Sequence, residues 1–202
     1  MTSQVAIVNR ALTKLGAARI TALTDNTKEA REMSATFDIV RDDELRESRW
    51  SFAIKRAQLA ADVTSPAFGY SHRFAVPSDF LRALMVGEFL PGYDASDYRT
   101  GPDSQEWAIE GRYILADDDG PLNLRYLSSI PDTSLWDASF VEAFACRLAA
   151  ETCEAITQSS TKRQLAWQEY EQAMRAARKA GAIELPPVQI PDNSWVLGRL
   201  RA

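Results

Sequence analysis

The sequence predicts an α+β fold: a bundle of two N-terminal and two C-terminal helices, with an inserted antiparallel β-sheet domain and an extended C-terminal arm. Apolar residues recur at helical spacing near both ends, whereas between Trp50 and Ser128 they alternate among Gly and Pro residues. Beyond residue 182, Pro186, Pro187 and Pro191 are incompatible with a regular helix or sheet. The predicted divisions are a helical domain at 1–49 and 132–181, a β domain at 50–131, and an arm at 182–202.

The composition is that of a globular protein, with 46% hydrophobic and 25% charged residues among 202. A net charge of −5 and a pI near 5.0 argue against a protein that coats nucleic acid through a basic face. The sequence has no apolar run of about 18 residues and no signal-peptide pattern, so we expect no membrane partner.

Two cysteines, Cys146 and Cys153, lie seven residues apart on one predicted helix. Their Cα atoms would be roughly 10 Å apart at the helical rise. A disulfide needs less than about 7 Å, so we expect buried free thiols, which suit a reducing cytoplasm.

Two helices are predicted before the β domain. Ser3 is the candidate N-cap of the first helix, and Gly16 is its predicted end. The second helix is expected to begin near Asn26, with Glu29 completing a weak capping box. Its charged face at residues 41–47 is either solvated or paired with a neighbouring subunit.

The second helix and the first strand meet at Arg49-Trp50, with no Gly or Pro between them. We interpret Arg49, Trp50 and Phe52 as a structural elbow. The indole can bury a large area there while its N–H reaches a backbone carbonyl. This packing role is favoured over a binding-site role for Trp50.

Alternation and turn residues predict the strands of the β domain. A tight hairpin is expected at Gly111. The polar stretch 91–104 is read either as a contact loop or as a disordered surface loop. The candidate strands are Ser51–Leu59, Ser71–Val76, Leu81–Glu88, Trp107–Glu110, Tyr113–Ala116 and Leu122–Leu127.

Two more helices follow Pro131. Asp137 is the candidate N-cap of the first, with Trp136 stapled onto Val141. A short break at 159–161 precedes the last helix, expected at 162–180 with Gly181 as its stop. The arm beyond it is too apolar for a solvated linker, so it must lie on its own domain or on a partner. We favour the partner.

Residue types that carry chemistry are scarce. The single histidine, His72, excludes clusters of His ligands and weakens every Ser/His or Cys/His scheme. Residues 117–120, Asp-Asp-Asp-Gly, lack the spaced ligands of a calcium loop and are read as a hairpin turn. Consecutive acids such as Asp42 and Asp43 cannot face one another on a helix. We therefore predict no enzyme, and no catalytic, metal-binding or cofactor-binding residue.

Several motifs occur in a particular order along residues 1–181. They are Leu-Thr-Lys-Leu-Gly-Ala at 12–17, Ser-Arg-Trp-Ser-Phe at 48–52, Val-Pro-Ser-Asp-Phe-Leu at 76–81, Phe-Val-Glu-Ala-Phe-Ala-Cys-Arg-Leu-Ala at 140–149 and Glu-Tyr-Glu at 169–171. In this order the chain resembles the tail tubular protein A family of short-tailed bacteriophages, the head-to-tail adaptors or tail gatekeepers. The arm is the part least comparable with the family.

The resemblance implies a structural virion protein at the head–tail junction, assembled in the host cytoplasm. It implies a dodecameric homo-oligomeric ring that contacts the portal protein, the tail nozzle (tubular protein B-like) and tail fibres, and that passes double-stranded DNA without reading it. The predicted arm contacts with portal or neighbour are Leu185, Pro186, Pro187, Val188, Ile190, Pro191, Trp195 and Leu197. The predicted charged faces between subunits are Arg41, Glu44, Arg46, Glu47, Arg163, Glu169, Arg175 and Arg178. The predicted nozzle or fibre contacts are Tyr93, Asp94, Asp97, Tyr98 and Arg99.

Two alternatives stay open. One is a head-completion connector of a long-tailed phage, which would share the ring architecture. The other is a nucleic-acid-processing protein that uses a basic strip formed by Arg41, Arg46, Arg49, Lys55 and Arg56. Acidic residues interspersed at 42–47 would neutralise that strip, so we rank this alternative last.

Overall fold

The computed structural model describes residues 2–87 and 107–183 and confirms the α+β class, with helices and two small antiparallel sheets. These residues form two compact units, a helical unit (2–54 and 127–183) and a sheet unit (55–87 and 107–126). The predicted contact loop at 91–104 and the chain from residue 184 onward lie outside the described residues. The elements are α1 Gln4–Leu15, α2 Lys28–Glu47, β1 Ile54–Leu59, β2 His72–Ala75, β3 Phe80–Val86, β4 Trp107–Glu110, β5 Tyr113–Ala116, β6 Leu122–Ser128, α3 Ala138–Thr157 and α4 Ser160–Ile183.

The ends of α1 follow the sequence, whereas the start of α2 does not. The Ser3 hydroxyl accepts from Ala6 N at 3.2 Å, and Gly16 closes α1 at a φ of 69°. For α2 the N-cap is Thr27, whose hydroxyl accepts from Ala30 N at 3.2 Å. The predicted start at Asn26 is therefore wrong by one residue. A threonine hydroxyl can cap a helix as an asparagine side chain does, so the two neighbours compete.

The predicted elbow is present, with one difference. The Trp50 indole is buried and its Nε1 donates to the backbone carbonyl of Glu44 at 3.1 Å, as expected. Residues Ser51–Ala53 form a 3₁₀ turn, so the predicted strand start at Ser51 is wrong and β1 begins at Ile54. The turn is fixed by the Ser128 hydroxyl, which donates to the Ala53 carbonyl at 3.0 Å.

The core of the helical unit is aromatic. Trp136 lies edge-on to Phe140 and Phe144, with ring centroids 5.1 Å from each, and it stacks on Phe37 from α2 at 6.2 Å. Offset and edge-to-face rings of this kind stabilise each other beyond the area that they bury. The aromatic cluster thus holds α2 against α3.

A break between α3 and α4 is present, but both predicted ends of α4 are wrong. The helix begins at Ser160, whereas a break at 159–161 and a start at residue 162 were predicted. The Ser159 hydroxyl accepts from Lys162 N at 3.3 Å and so caps the helix earlier than expected. Asp137 caps α3 by accepting from Ser139 N at 2.8 Å, and Gln158 ends it in the left-handed region. Helix α4 continues through Gly181 to Ile183, so the predicted stop at Gly181 is wrong. A glycine ends a helix only where its backbone turns left-handed, as Gly16 does and Gly181 does not. The predicted free thiols, Cys146 and Cys153, are both buried on α3.

The sheet unit is built from two three-stranded sheets, ordered β1-β6-β3 and β2-β5-β4. The hairpin predicted at Gly111 is confirmed, because Glu110 pairs with Tyr113 across the two-residue turn and Gly111 has a φ of 59°. The segment 117–120 is not a hairpin turn as predicted, because it leads from β5 in one sheet to β6 in the other. Leu122, Leu124 and Phe74 belong to the apolar cluster between the strands.

Candidate functional site

A buried polar cluster joins three helices of the helical unit. Glu44 of α2 is fully buried, and its Oε1 accepts from the Tyr170 hydroxyl of α4 at 2.6 Å and from Arg147 Nη1 of α3 at 3.1 Å. Its Oε2 is also buried and has no hydrogen-bond partner in the described part of the chain. One carboxylate therefore contacts side chains from two other helices.

Arg147 is the hub of this cluster. Its Nη2 lies 2.9 Å from Glu151 Oε1 and 3.4 Å from Asp43 Oδ2, in addition to the contact with Glu44. Its guanidinium carbon lies 5.0 Å from the centre of the Trp167 ring and 5.2 Å from that of Tyr170. Planar arginine suits a site that needs several carboxylate partners and aromatic stacking at once.

The electrostatics of the cluster follow from burial. Desolvation raises the pKa of Glu44 above 4.5, while the Tyr170 hydrogen bond and the Arg147 charge oppose the rise. Burial and the hydrogen bond to Glu44 also raise the pKa of Tyr170. The Glu44 carboxyl is bonded to side chains from α3 and α4. The role that this arrangement supports best is structural: it fixes α2, α3 and α4 relative to one another.

Two of the predicted charged contacts between subunits are wrong. Glu44 is enclosed by its own helices, and Arg41 is 7% exposed with its guanidinium bonded to Asp38 and Asp42. Neither side chain is available to a neighbouring chain. The sequence pattern predicted that both charges lie on the surface. Such a pattern does not show which long charged side chains pack against their own domain.

The other predicted contacts lie on the surface, several of them in ion pairs within the chain. Arg178 meets Glu47 at 2.7 Å, and Arg46 and Glu169 are exposed. Arg163 pairs with Glu154 at 2.7 Å, and Arg175 pairs with Glu171 at 3.1 Å. Exposed pairs of this kind contribute about 1 kcal/mol at most, so these side chains stay predicted interface residues.

The five cations of the basic strip, considered above for nucleic-acid processing, do not form one continuous positive surface. Lys55 Nζ lies 2.7 Å from Asp79 in the sheet unit, while Arg41 is bonded to acids of its own helix. Two of the five cations are thus neutralised locally, and they belong to different units of the chain.

A second ionic cluster, which the sequence did not reveal, joins α1 to α3. Glu142 accepts from Arg10 at 3.0 Å and contacts Lys14 Nζ at 2.8 Å. The hydrogen bond from Arg10, assisted by Lys14, lowers the pKa of Glu142 from 4.5 to about 2. In the sequence, the only local sign of this cluster is that Arg10 and Lys14 are four residues apart on α1. That spacing does not indicate that their partner is Glu142, 132 residues after Arg10.

The surface offers shallow grooves. One of about 310 Å³ lies in the helical unit beside Lys14, Cys146, Leu165 and Glu169. Among residues 2–87 and 107–183, no group of His, Cys, Asp and Glu side chains is arranged to hold a metal ion. Nor does any helix in these ranges have the length and apolarity to span a membrane.

Helix α4 is the most exposed long element of the described chain. Of its 24 residues only Tyr170, Met174 and Ala177 are buried. Leu165 is 56% exposed and Ile183 is 78% exposed. A narrow stripe thus fixes α4 to α3, and most of its circumference faces solvent.

The remaining predicted site residues fall outside the described residues. These are the arm residues Leu185, Pro186, Pro187, Val188, Ile190, Pro191, Trp195 and Leu197, and the loop residues Tyr93, Asp94, Asp97, Tyr98 and Arg99. Comparison of the chain with models of known protein families gives no match, and comparison with curated proteins gives none either.

Proposed function

We propose that this chain is a subunit of the head-to-tail adaptor ring of a short-tailed bacteriophage, seated between the portal and the tail nozzle. The observation that carries the proposal is the exposure of α4. This helix is about 36 Å long at the helical rise, yet it buries three residues. A helix whose surface is polar and exposed around most of its circumference can bridge to another body, and α4 offers such a surface along its whole length.

Helix α2 supplies a second surface for such contacts. Ile39 is 74% exposed on α2, with Asp43 exposed one turn further along. A single exposed apolar residue is ordinary, but Ile39, Leu165 and Ile183 all lie on two long helices rich in charge. A head-to-tail contact between copies pairs two different patches, and such contacts form rings when the rotation closes.

The buried cluster fits the same role. A ring subunit transmits load between neighbours, and Glu44, Arg147 and Tyr170 hold α2, α3 and α4 in one arrangement. Arg41 and Glu44, which were predicted to contact a neighbouring subunit, thus stabilise the subunit itself. The contacts with neighbours are left to the exposed residues of α2 and α4.

In this proposal the ring is a dodecamer within the virion, which binds the portal above, the nozzle below and the tail fibres at its edge. Double-stranded DNA passes through the lumen. The net charge of −5 disfavours tight phosphate contacts, so the duplex would slide. A connector from a long-tailed phage would form a similar ring, but it would not bind a tail nozzle.

The test mixes the full chain with the portal protein of the same genome and images the mixture by negative-stain microscopy. Ile39→Asp and Leu165→Asp should abolish ring formation, since each places a charge at a proposed contact. Val63→Asp is the matched control, because Val63 is fully exposed in the sheet unit. Absence of rings with the unaltered chain, or equal ring formation by all three variants, would contradict the proposal.

A further inference from the structure

The sheet unit carries a groove lined in part by three aromatic side chains, those of Phe68, Tyr70 and Tyr113, and here called the aromatic groove. It measures about 280 Å³ and lies among Pro66, Phe68, Tyr70, Arg73, Glu110 and Tyr113. Arg73 of β2 pairs in register with Leu115 of β5, and Tyr113 pairs with Glu110 of β4. Side chains two residues apart on a strand share a face, so Arg73 and Tyr113 lie on the same side of the sheet.

One wall of the groove is fixed in place. The guanidinium of Arg73 lies 4.5 Å from the centre of the Tyr113 ring, and its Nη2 meets Asp62 at 3.2 Å. Asp62 in turn accepts from the backbone N of Thr64 at 2.9 Å. Stacking and ion pairing together leave Arg73 and Tyr113 little freedom, so a ligand would meet a preorganised surface.

The other wall leaves a large apolar side chain in water. Phe68 is 89% exposed and stands beside Pro66 and Tyr70. Burying a phenylalanine side chain fully stabilises a complex by about 1.5–3 kcal/mol. An uncovered phenylalanine beside two tyrosines and a proline therefore marks a surface on which a ligand would gain affinity.

Two polar groups of the aromatic groove are hydrogen-bond donors, so they favour a ligand that offers hydrogen-bond acceptors. The hydroxyl of Tyr113 and the guanidinium of Arg73 can donate hydrogen bonds. A proline-rich segment lacks many backbone N–H groups, but its carbonyls remain available as acceptors. Aromatic-lined grooves that donate to such carbonyls are a recurrent means of binding extended proline-rich segments.

The chain itself contains a segment of this chemistry. Residues 186–191 read Pro-Pro-Val-Gln-Ile-Pro and begin three positions after Ile183, where the described chain ends. Residues 184–202 could span roughly 59 Å when extended at about 3.1 Å per residue. Arg199 and Arg201 follow the prolines and complement Glu110, which is exposed at the groove.

We propose that the aromatic groove binds residues 186–191 of a neighbouring copy of this chain. The choice of a neighbouring copy rests on the proposed ring, in which each subunit contacts the next head to tail. The arm and the groove then form the two halves of one repeating contact. Each copy offers one groove and one arm, so the contact can continue around a ring.

The test is a complementation experiment with full-length variants, followed by sedimentation velocity over a range of concentrations. Phe68→Ala removes the exposed wall of the groove, and the triple change Pro186→Ala, Pro187→Ala and Pro191→Ala removes the proline-rich character of the arm. Each variant alone should lose self-association by about tenfold or more, the factor that corresponds to the lost phenylalanine burial. Val63→Ala is the control and should associate as the unaltered chain does.

An equimolar mixture of the two variants should associate again, because one supplies an intact arm and the other an intact groove. A mixture that stays monomeric would overturn the proposal, since it would mean that the arm acts within its own chain or not at all. An unaltered chain that stays monomeric up to its solubility limit would overturn it as well. Rings on the portal formed by Phe68→Ala would refute this inference alone. Restored association in the mixture, together with no portal complex of the unaltered chain, would refute the proposed function alone.

Discussion

Replacing Tyr170 with Phe tests the buried cluster most sharply. The change removes one oxygen, which donates to Glu44 Oε1 at 2.6 Å and lies 3.4 Å from Arg147 Nη1. A hydrogen bond to a charged group contributes about 1.5–3 kcal/mol. Glu44 has no solvent access, so water cannot take the place of the hydroxyl. We expect the free energy of unfolding to fall by about 2 kcal/mol at neutral pH.

The pH dependence of this loss provides a second readout. Burial raises the folded-state pKa of Glu44 above 4.5, so its contribution to stability is full below 4.5 and is lost as the pH rises through the raised value. The hydroxyl stabilises the ionised form, and its removal raises that pKa further. The loss caused by Tyr170→Phe should therefore become smaller as the pH falls through the raised pKa of Glu44.

The assay is urea unfolding followed by the helical circular-dichroism signal, which reports mainly on the helical unit. Tyr113→Phe is the matched control, because Tyr113 lies in the sheet unit and the change keeps the ring on which Arg73 stacks. If Tyr170→Phe unfolds within about 0.5 kcal/mol of the unaltered chain, as ordinary surface changes do, the cluster does not stabilise the fold. A loss that stays the same as the pH falls through the raised pKa of Glu44 would refute the reasoning about this carboxyl.

Three further changes test other features of the fold. Glu142→Gln removes the partner of two cations on α1 and should cost about 1 kcal/mol at neutral pH, because the carboxylate is partly exposed. The folded-state pKa of Glu142 is lowered from 4.5 to about 2, so urea titrations should show this stability fading as the pH falls through that window. Trp50→Phe leaves the buried carbonyl of Glu44 without its indole donor. Thermal unfolding should then show that the free energy of unfolding falls by about 1–3 kcal/mol. An unchanged unfolding midpoint would contradict the structural role assigned to Trp50 at the elbow. Gly111→Ala should cost about 1–2 kcal/mol because φ is 59° there, whereas Gly181→Ala should be neutral or stabilising by up to about 1 kcal/mol. A loss on Gly181→Ala would contradict a helix that continues to Ile183.

The sequence was most informative where the signal is local. The Ser3 cap, the Gly16 stop and the Asp137 cap each act within one helical turn, so their side chains identify the helix ends directly. The Gly111 hairpin was also predictable, because a two-residue turn between alternating segments needs a left-handed backbone.

The predictions were wrong where the same type of residue occurs in more than one kind of local structure. Gly181 was read as a helix stop, but glycine also occurs inside helices at a cost of about 1 kcal/mol. The turn residues at 117–120 showed that the chain reverses, yet they could not show that β5 and β6 belong to different sheets. Sequence alone gives the turn and not the pairing partners.

The polar clusters could not have been found from sequence. Glu44 lies 103 residues from Arg147 and 126 from Tyr170 along the chain. Nothing in the pattern of α2 distinguishes Glu44 from the exposed acids beside it. Only the fold shows which of these carboxylates is enclosed, and therefore which charges remain for contacts with other chains.

Native mass spectrometry of the chain mixed with the portal of its own genome tests the central claim most directly. The adaptor proposal predicts a complex whose mass exceeds that of the portal by a whole ring of 22.5 kDa subunits, twelve in the expected dodecamer. Free 22.5 kDa monomers beside bare portals, at every mixing ratio, would contradict it.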